Sequence, residues 1–199
     1  GAVESTVLEV LVRHLRKRRE KTKHREAVTQ LVEDDQLWCD CTIDLHDAVL
    51  TEIADFQDAT FTNDADFQGA TFNRYADFRG ATFTRANFRG ATFNRDANFE
   101  RATFNRANFR GATFNRDADF WGATFNRYAD FWGATFTRAN FRGATFNRAN
   151  FRGATFNRAG FQGATFTNDA NFQDATFTNV AGFQGATFTN DANFQDATF

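Results

Sequence analysis

Ala76-Asp77-Phe78-Arg79-Gly80-Ala81-Thr82-Phe83-Thr84-Arg85 places two five-residue units end to end, each with Ala two positions before Phe. From Ala54 to Phe199 every Phe is preceded by Ala in this way. The units alternate between Ala-Asp/Asn-Phe-x-Gly and Ala-Thr-Phe-x-x, and neighbouring Phe residues are five apart in nineteen intervals and six apart in eight. An apolar period of five fits neither the 3.6 of a helix nor the 2.0 of a strand. It fits a chain that turns a corner at every unit and points Ala and Phe inward each time. The intervening residue and the two after Phe then face outward, and they are Asp, Asn, Thr, Arg, Gln and Gly.

The chain has 199 residues, and its 28 Phe all lie at or beyond Phe56. It contains neither Pro nor Met, and Gly1-Ala2 reads as a cleavage scar, so the expectation is a piece excised from a longer chain. No apolar run approaches the ~20 residues needed to span a bilayer. Cys39 and Cys41 lack the four-ligand pattern of a zinc site, and their retention as thiols fits a reducing compartment.

These units resemble the pentapeptide repeat family, whose units read Ala-Asp/Asn-Leu/Phe-x-x. The resemblance implies an all-β solenoid, a right-handed quadrilateral β-helix with four units per coil. On that basis the Phe units make seven coils, a rod roughly 33 Å long at the ~4.8 Å spacing of paired strands. Ile43-Asp44-Leu45 and Ala48-Val49-Leu50 are degenerate units, so the β-helix is expected over residues 43–199. The extra residues of these eight intervals are Asp64, Tyr75, Asp96, Asp117, Tyr128, Asp169, Val180 and Asp191, and the six-residue step from Leu50 to Phe56 adds Ile53. All follow even-numbered units, counting the Phe56 unit as the first and the Leu50 unit as zero, which puts them at two opposite corners as bulges. A mid-rod Phe replaced by Ala should cost ~3–5 kcal/mol.

Residues 1–42 are expected to form a small α-helical cap. Ser5 and Thr6 are N-cap candidates before the stripe Val7, Leu8, Leu11, Val12 and Leu15. A second helix is expected from about Thr22 to Val32, followed by Trp38. A solenoid end exposes unpaired strand edges, and such ends require a cap. Thr6-Val7-Leu8-Glu9-Val10-Leu11 with its basic sequel also looks like actinobacterial pentapeptide repeat proteins with a membrane-anchored N-terminal region. That likeness implies a cytoplasmic location, with any membrane tether in a region absent from this chain.

No catalytic constellation is legible. His14, His24 and His46 lie outside the Phe units without metal or triad spacing, and those units contain no Ser, Cys or Lys. The Asp residues at Asp55, Asp66, Asp77, Asp119 and Asp130 share one repeat position, which points to a structural role, hydrogen bonding to corner backbone. No enzyme activity, small-molecule substrate, cofactor or metal is expected.

Charge is more informative. Residues 1–32 carry +4, 33–53 carry −7, 54–73 carry −4, 74–158 carry +9, and 159–199 carry −4. The rod is a basic belt between acidic ends. Arg74, Arg95, Arg116, Arg138 and Arg158 recur one coil apart, and Arg85, Arg106, Arg127 and Arg148 form a matching row. Trp121 and Trp132 occupy outward positions where other units carry Arg, Gln or Glu, with Glu100 and Arg142 flanking the first and Arg110 and Arg152 the second. Exposed Trp beside Arg is the composition of binding hot spots.

Three roles are compatible with this pattern. The first is a non-enzymatic scaffold presenting flat faces to a protein partner. The second, implied by the resemblance, is a DNA mimic binding DNA gyrase, as in members that confer fluoroquinolone resistance; those resemble a duplex through acidic surfaces and dimerise through a C-terminal helix, whereas this chain carries a basic belt. The third is ice binding through ladders such as Thr60-x-Thr62 and Thr82-x-Thr84, which the adjacent Arg rows would disrupt. Phe183, Phe188, Phe194 and Phe199 of the last coil are expected to form a homodimer or assembly interface, or to mark an artificial truncation.

Overall fold

A computed structural model describes residues 41–199. The expected helical cap, with Trp38 and Cys39, lies outside them. The described residues hold twenty strands, from Ile43–Asp44 to Ala192–Asn193, and no helix. Every strand pairing is parallel and joins residues about one coil apart, with Ala, Thr and Phe of the repeats beside their own kind. Thr103 lies beside Thr82 and Thr124, Phe104 beside Phe83 and Phe125, and Ala107 beside Ala86 and Ala129. The strands form two ten-stranded sheets. Ile43–Asp44 already pairs with Thr60–Asp66, and Val49–Leu50 with Thr71–Phe72, so the degenerate units are part of the coil.

Inside, the Phe rings make four columns of seven. One runs Phe67, Phe88, Phe109, Phe131, Phe151, Phe172, Phe194. The others start at Phe56, Phe61 and Phe72. Successive rings in a column lie 4.6 to 5.1 Å apart and within 12° of parallel. Rings of different columns meet edge to face, as Phe99 and Phe109 do at 5.5 Å and 86°. The ring quadrupole favours both arrangements. From Phe56 to Phe172 every ring is buried to within 1%. Ala lines the rest of the interior because a larger side chain there would collide with the ring columns.

The corners are of two kinds. After each Asp/Asn unit the chain makes a tight turn in which the following Ala N–H donates to the Phe carbonyl, as Ala81 does to Phe78 at 3.1 Å. The third residue of that turn has positive φ, +64° at Gly80, the requirement of a type II turn and the reason for Gly. After most Thr units the strand instead runs through the corner, as in Thr82–Asn87, whereas at others, as between Thr71–Phe72 and Ala76–Asp77, it is interrupted. The extra residues fall only at these open corners. The pairing register shifts there, between Phe61 and Asp64, Phe114 and Asp117, and Phe125 and Tyr128, and resumes at the next Ala.

Candidate interaction surface

The Asp/Asn position holds the tight corner. Asp119 Oδ1 accepts the N–H of Trp121 at 2.9 Å, Asp130 Oδ1 that of Trp132 at 3.0 Å, and Asn140 Oδ1 that of Arg142 at 3.2 Å. Asp55, Asp66 and Asp77 act in the same way toward Gln57, Gln68 and Arg79. The same side chains link the coils, for Asn140 Nδ2 donates to Asp119 Oδ1 and Asn150 Nδ2 to Asp130 Oδ1. The carboxylates thus do the corner work expected of them. Asp77 is 4% exposed, and the Arg79 guanidinium binds both its oxygens, at 2.9 Å from Nε to Oδ1 and 2.6 Å from Nη2 to Oδ2.

The Arg rows need a correction. The ladder position just before each Ala is taken, in a six-residue unit, by the extra residue and not by Arg. Asp117 lies beside Arg138, and Arg158 lies between Arg138 and Val180. On the other sheet Tyr128 separates Arg106 from Arg148, and Asp64 lies beside Arg85. Bulging therefore displaces Arg116 and Arg127 from the column, and like charges meet in fewer places than an unbroken row would impose. Asp64 pairs with Arg85, and Asp117 with Arg138. Such half-exposed pairs contribute ~0–1 kcal/mol. Arg74 Nε donates to the Thr51 carbonyl at 3.2 Å. Among the described residues Arg95, Arg116, Arg142, Arg148 and Arg158 have no ion pair.

Trp121 and Trp132 are each 40% exposed. They belong to one coil but to opposite sides of the rod, since Phe120 and Phe131 face each other edge to face across the core. Arg110 covers Trp132, with Cζ 3.9 Å from the ring centroid, as the sequence order suggested. Trp121 is covered at 4.7 Å by Arg101, not by a residue of its own column. Arg101 takes the Gly position of its corner at φ +54°, which sends its side chain toward the next coil. The detectable signal was Arg101 standing where most such units have Gly.

Two shallow grooves follow the open corners. One, about 410 Å³, runs between Asp64, Arg85, Arg106 and Tyr128 on one side and Asp66, Asn87, Asn108 and Asp130 on the other. The second, about 440 Å³, lies on the other sheet and includes Asp117, Arg138, Arg142, Arg158, Gln162 and Val180. Burial pushes the phenol pKa of both Tyr75 and Tyr128 upward. Among the described residues no group of His, Cys, Asp and Glu could hold a metal ion.

A family model described as pentapeptide repeats (9 copies) matches residues 45–92, 78–124, 88–135, 120–165 and 161–199. The chain belongs to the pentapeptide repeat family. No curated protein matches it in sequence. As a pentapeptide repeat solenoid it provides long faces of side chains fixed at strand spacing, a geometry suited to contacts with other macromolecules.

Proposed function

We propose that this protein is a non-enzymatic interaction scaffold whose basic belt receives an acidic protein partner. The observation that carries the reading is the pair of Arg-covered, partly exposed Trp side chains on opposite faces of the +9 segment. A guanidinium stacked on an exposed indole holds a flat aromatic anchor in place at little entropic cost on binding. Arg142, Arg148 and Arg158 of the same basic segment carry charge that no acid neutralises among the described residues. An electropositive face of this kind steers acidic partners to it and loses that advantage in salt. The positive sign favours an acidic partner over mimicry of a nucleic-acid duplex, so a topoisomerase partner is the weaker reading, and a gyrase supercoiling assay tests it separately. A cytoplasmic location is part of the same proposal.

The test is titration of labelled poly-L-glutamate, with heparin and duplex DNA as comparison polyanions, at low and at physiological salt. The wild type should bind poly-L-glutamate with a steep salt dependence. Binding should weaken when Arg95, Arg116 and Arg138 become Gln, and again when Trp121 and Trp132 become Ala. Equal binding by all variants, or none by any, removes the proposal.

A further inference from the structure

The groove that includes Gln162 is the one place among the described coils where the corner carboxylate or amide ladder stops. Asp119 and Asn140 continue it, but the next two residues in register are Gly160 and Gly182. The Gln162 side chain folds into the space left. Its Oε1 lies 2.7 Å from where a Gly160 Cβ would be, and its Nε2 2.2 Å from that of Gly182. Gln162 Oε1 is thereby buried without a donor, the one such side-chain atom among the described residues. The Gln162 N–H has lost its acceptor too. In the coil before, the equivalent N–H of Arg142 donates to Asn140 Oδ1, whereas residue 160 has no side chain.

Leaving a buried acceptor such as Oε1 without a partner costs about 1–3 kcal/mol, and native proteins rarely do so without a reason. The repeat itself offers an unstrained alternative. Gln57, Gln68, Gln173 and Gln195 each stand two residues after an Asp or Asn that accepts their N–H. Gln at this position therefore does not require Gly before it. Around the gap stand Arg142 and Arg158, neither of them in an ion pair, and Val180, which is 53% exposed. Arg142 Cγ is 3.7 Å from the Gly160 Cβ position.

We infer that this groove is a docking site for an acidic residue within a polypeptide segment of the partner. With the Gln162 amide swung out of the recess it fills, a peptide unit, which carries a donor and an acceptor side by side, complements its Oε1 and the backbone N–H. A carboxylate on the same residue answers Arg142 and Arg158, and the remainder of its side chain packs on Val180. The two missing Asp/Asn side chains leave the recess that the Gln162 amide fills and would vacate on binding. The inference rests on the scaffold reading and narrows it to one set of residues.

The experiment is a titration of the isotopically labelled protein with a blocked Gly-Glu-Gly tripeptide, followed by NMR of backbone amides and of the Gln162 and Arg side chains. Saturable shifts centred on Gln162, Arg142 and Arg158 are expected, together with binding weakened roughly tenfold or more for the Gly-Gln-Gly counterpart, which lacks the charge. The variant carrying Gly160→Asn and Gly182→Asn restores the ladder. It should be at least as stable as the wild type to heat and should give no shifts at the groove. An Arg142→Gln, Arg158→Gln variant should lose the preference for Glu over Gln. Shifts confined to the surroundings of Trp121 and Trp132, or unchanged binding by the ladder-restored variant, overturn the groove and leave the scaffold standing. Absence of shifts everywhere, with no poly-L-glutamate binding, overturns both.

Discussion

Replacing Phe109 with Ala tests the account of the core most directly. Its ring is fully buried and stacks between Phe88 at 4.8 Å and Phe131 at 4.9 Å. It also meets Phe99 at 5.5 Å and Phe120 at 5.6 Å nearly at right angles. Lost burial alone amounts to about 1.5–3 kcal/mol, and each stacked pair adds about 0.5–1.5 kcal/mol. The cavity cannot collapse, because the backbone on all sides is held by ladders of hydrogen bonds. The expected loss is therefore about 4 kcal/mol, within the range for buried Phe replaced by Ala. Phe199, which is 73% exposed and stacks on one ring only, should lose less than about 1 kcal/mol on the same change. Denaturant unfolding followed by circular dichroism measures both. If Phe109→Ala lost no more than Phe199→Ala, the ring columns would not be the source of stability.

Gly143→Ala, at φ +62° with open space around the new methyl, should cost about 1 kcal/mol. Gly80→Ala should cost more, because its Cβ would fall 2.4 Å from Asp58 Oδ1, and the excess should vanish in an Asp58→Gly background, as thermal unfolding would reveal. Alkaline difference spectroscopy should find both Tyr75 and Tyr128 ionising above the ordinary phenol value of about 10. With folded pKa values raised, their contribution to stability is complete below that value and is lost as pH rises through the folded ones. In this chain as it stands, the last coil should pair with a second copy, since Phe188 and Phe194 are only partly buried and Phe199 is exposed. Light scattering should give a dimer for the wild type and a monomer for Phe194→Asp with Phe199→Asp; a wild type that stays monomeric at high micromolar concentration refutes the pairing.

Most of the fold was legible because one interaction recurs. The Phe spacing implied an inward-pointing ring at every corner, the resemblance to pentapeptide repeats implied four corners per coil, and the eight longer intervals, all after Thr units, implied corners that tolerate an extra residue. The Asp residues at one repeat position were readable as corner acceptors for the same reason. The Arg surface was less legible. Counting residues placed Arg116 beneath Arg138, but strands register from Ala outward, so the bulged Asp117 takes that place. Arg101 over Trp121 depends on the direction of a side chain leaving a left-handed corner, which spacing alone does not encode. Gly160 and Gly182 were visible as departures from Asp or Asn. Their meaning required the position of Gln162, which only the folded coil shows.

Two successive units fill half a coil, so whatever one unit displays, the unit two places on displays facing the other way. Ala118-Asp119-Phe120-Trp121-Gly122 and Ala129-Asp130-Phe131-Trp132-Gly133 are the clearest instance, with matching turns and a guanidinium over each indole. Outward-facing sites on opposite sides of a rigid rod cannot both be reached by the two arms of one compact ligand, so they yield no chelate effect. They can instead hold two molecules apart, one on each side. A partner that itself has two acidic patches would then be joined rod to partner to rod, and the onset of such linkage would depend sharply on the ratio of the two components.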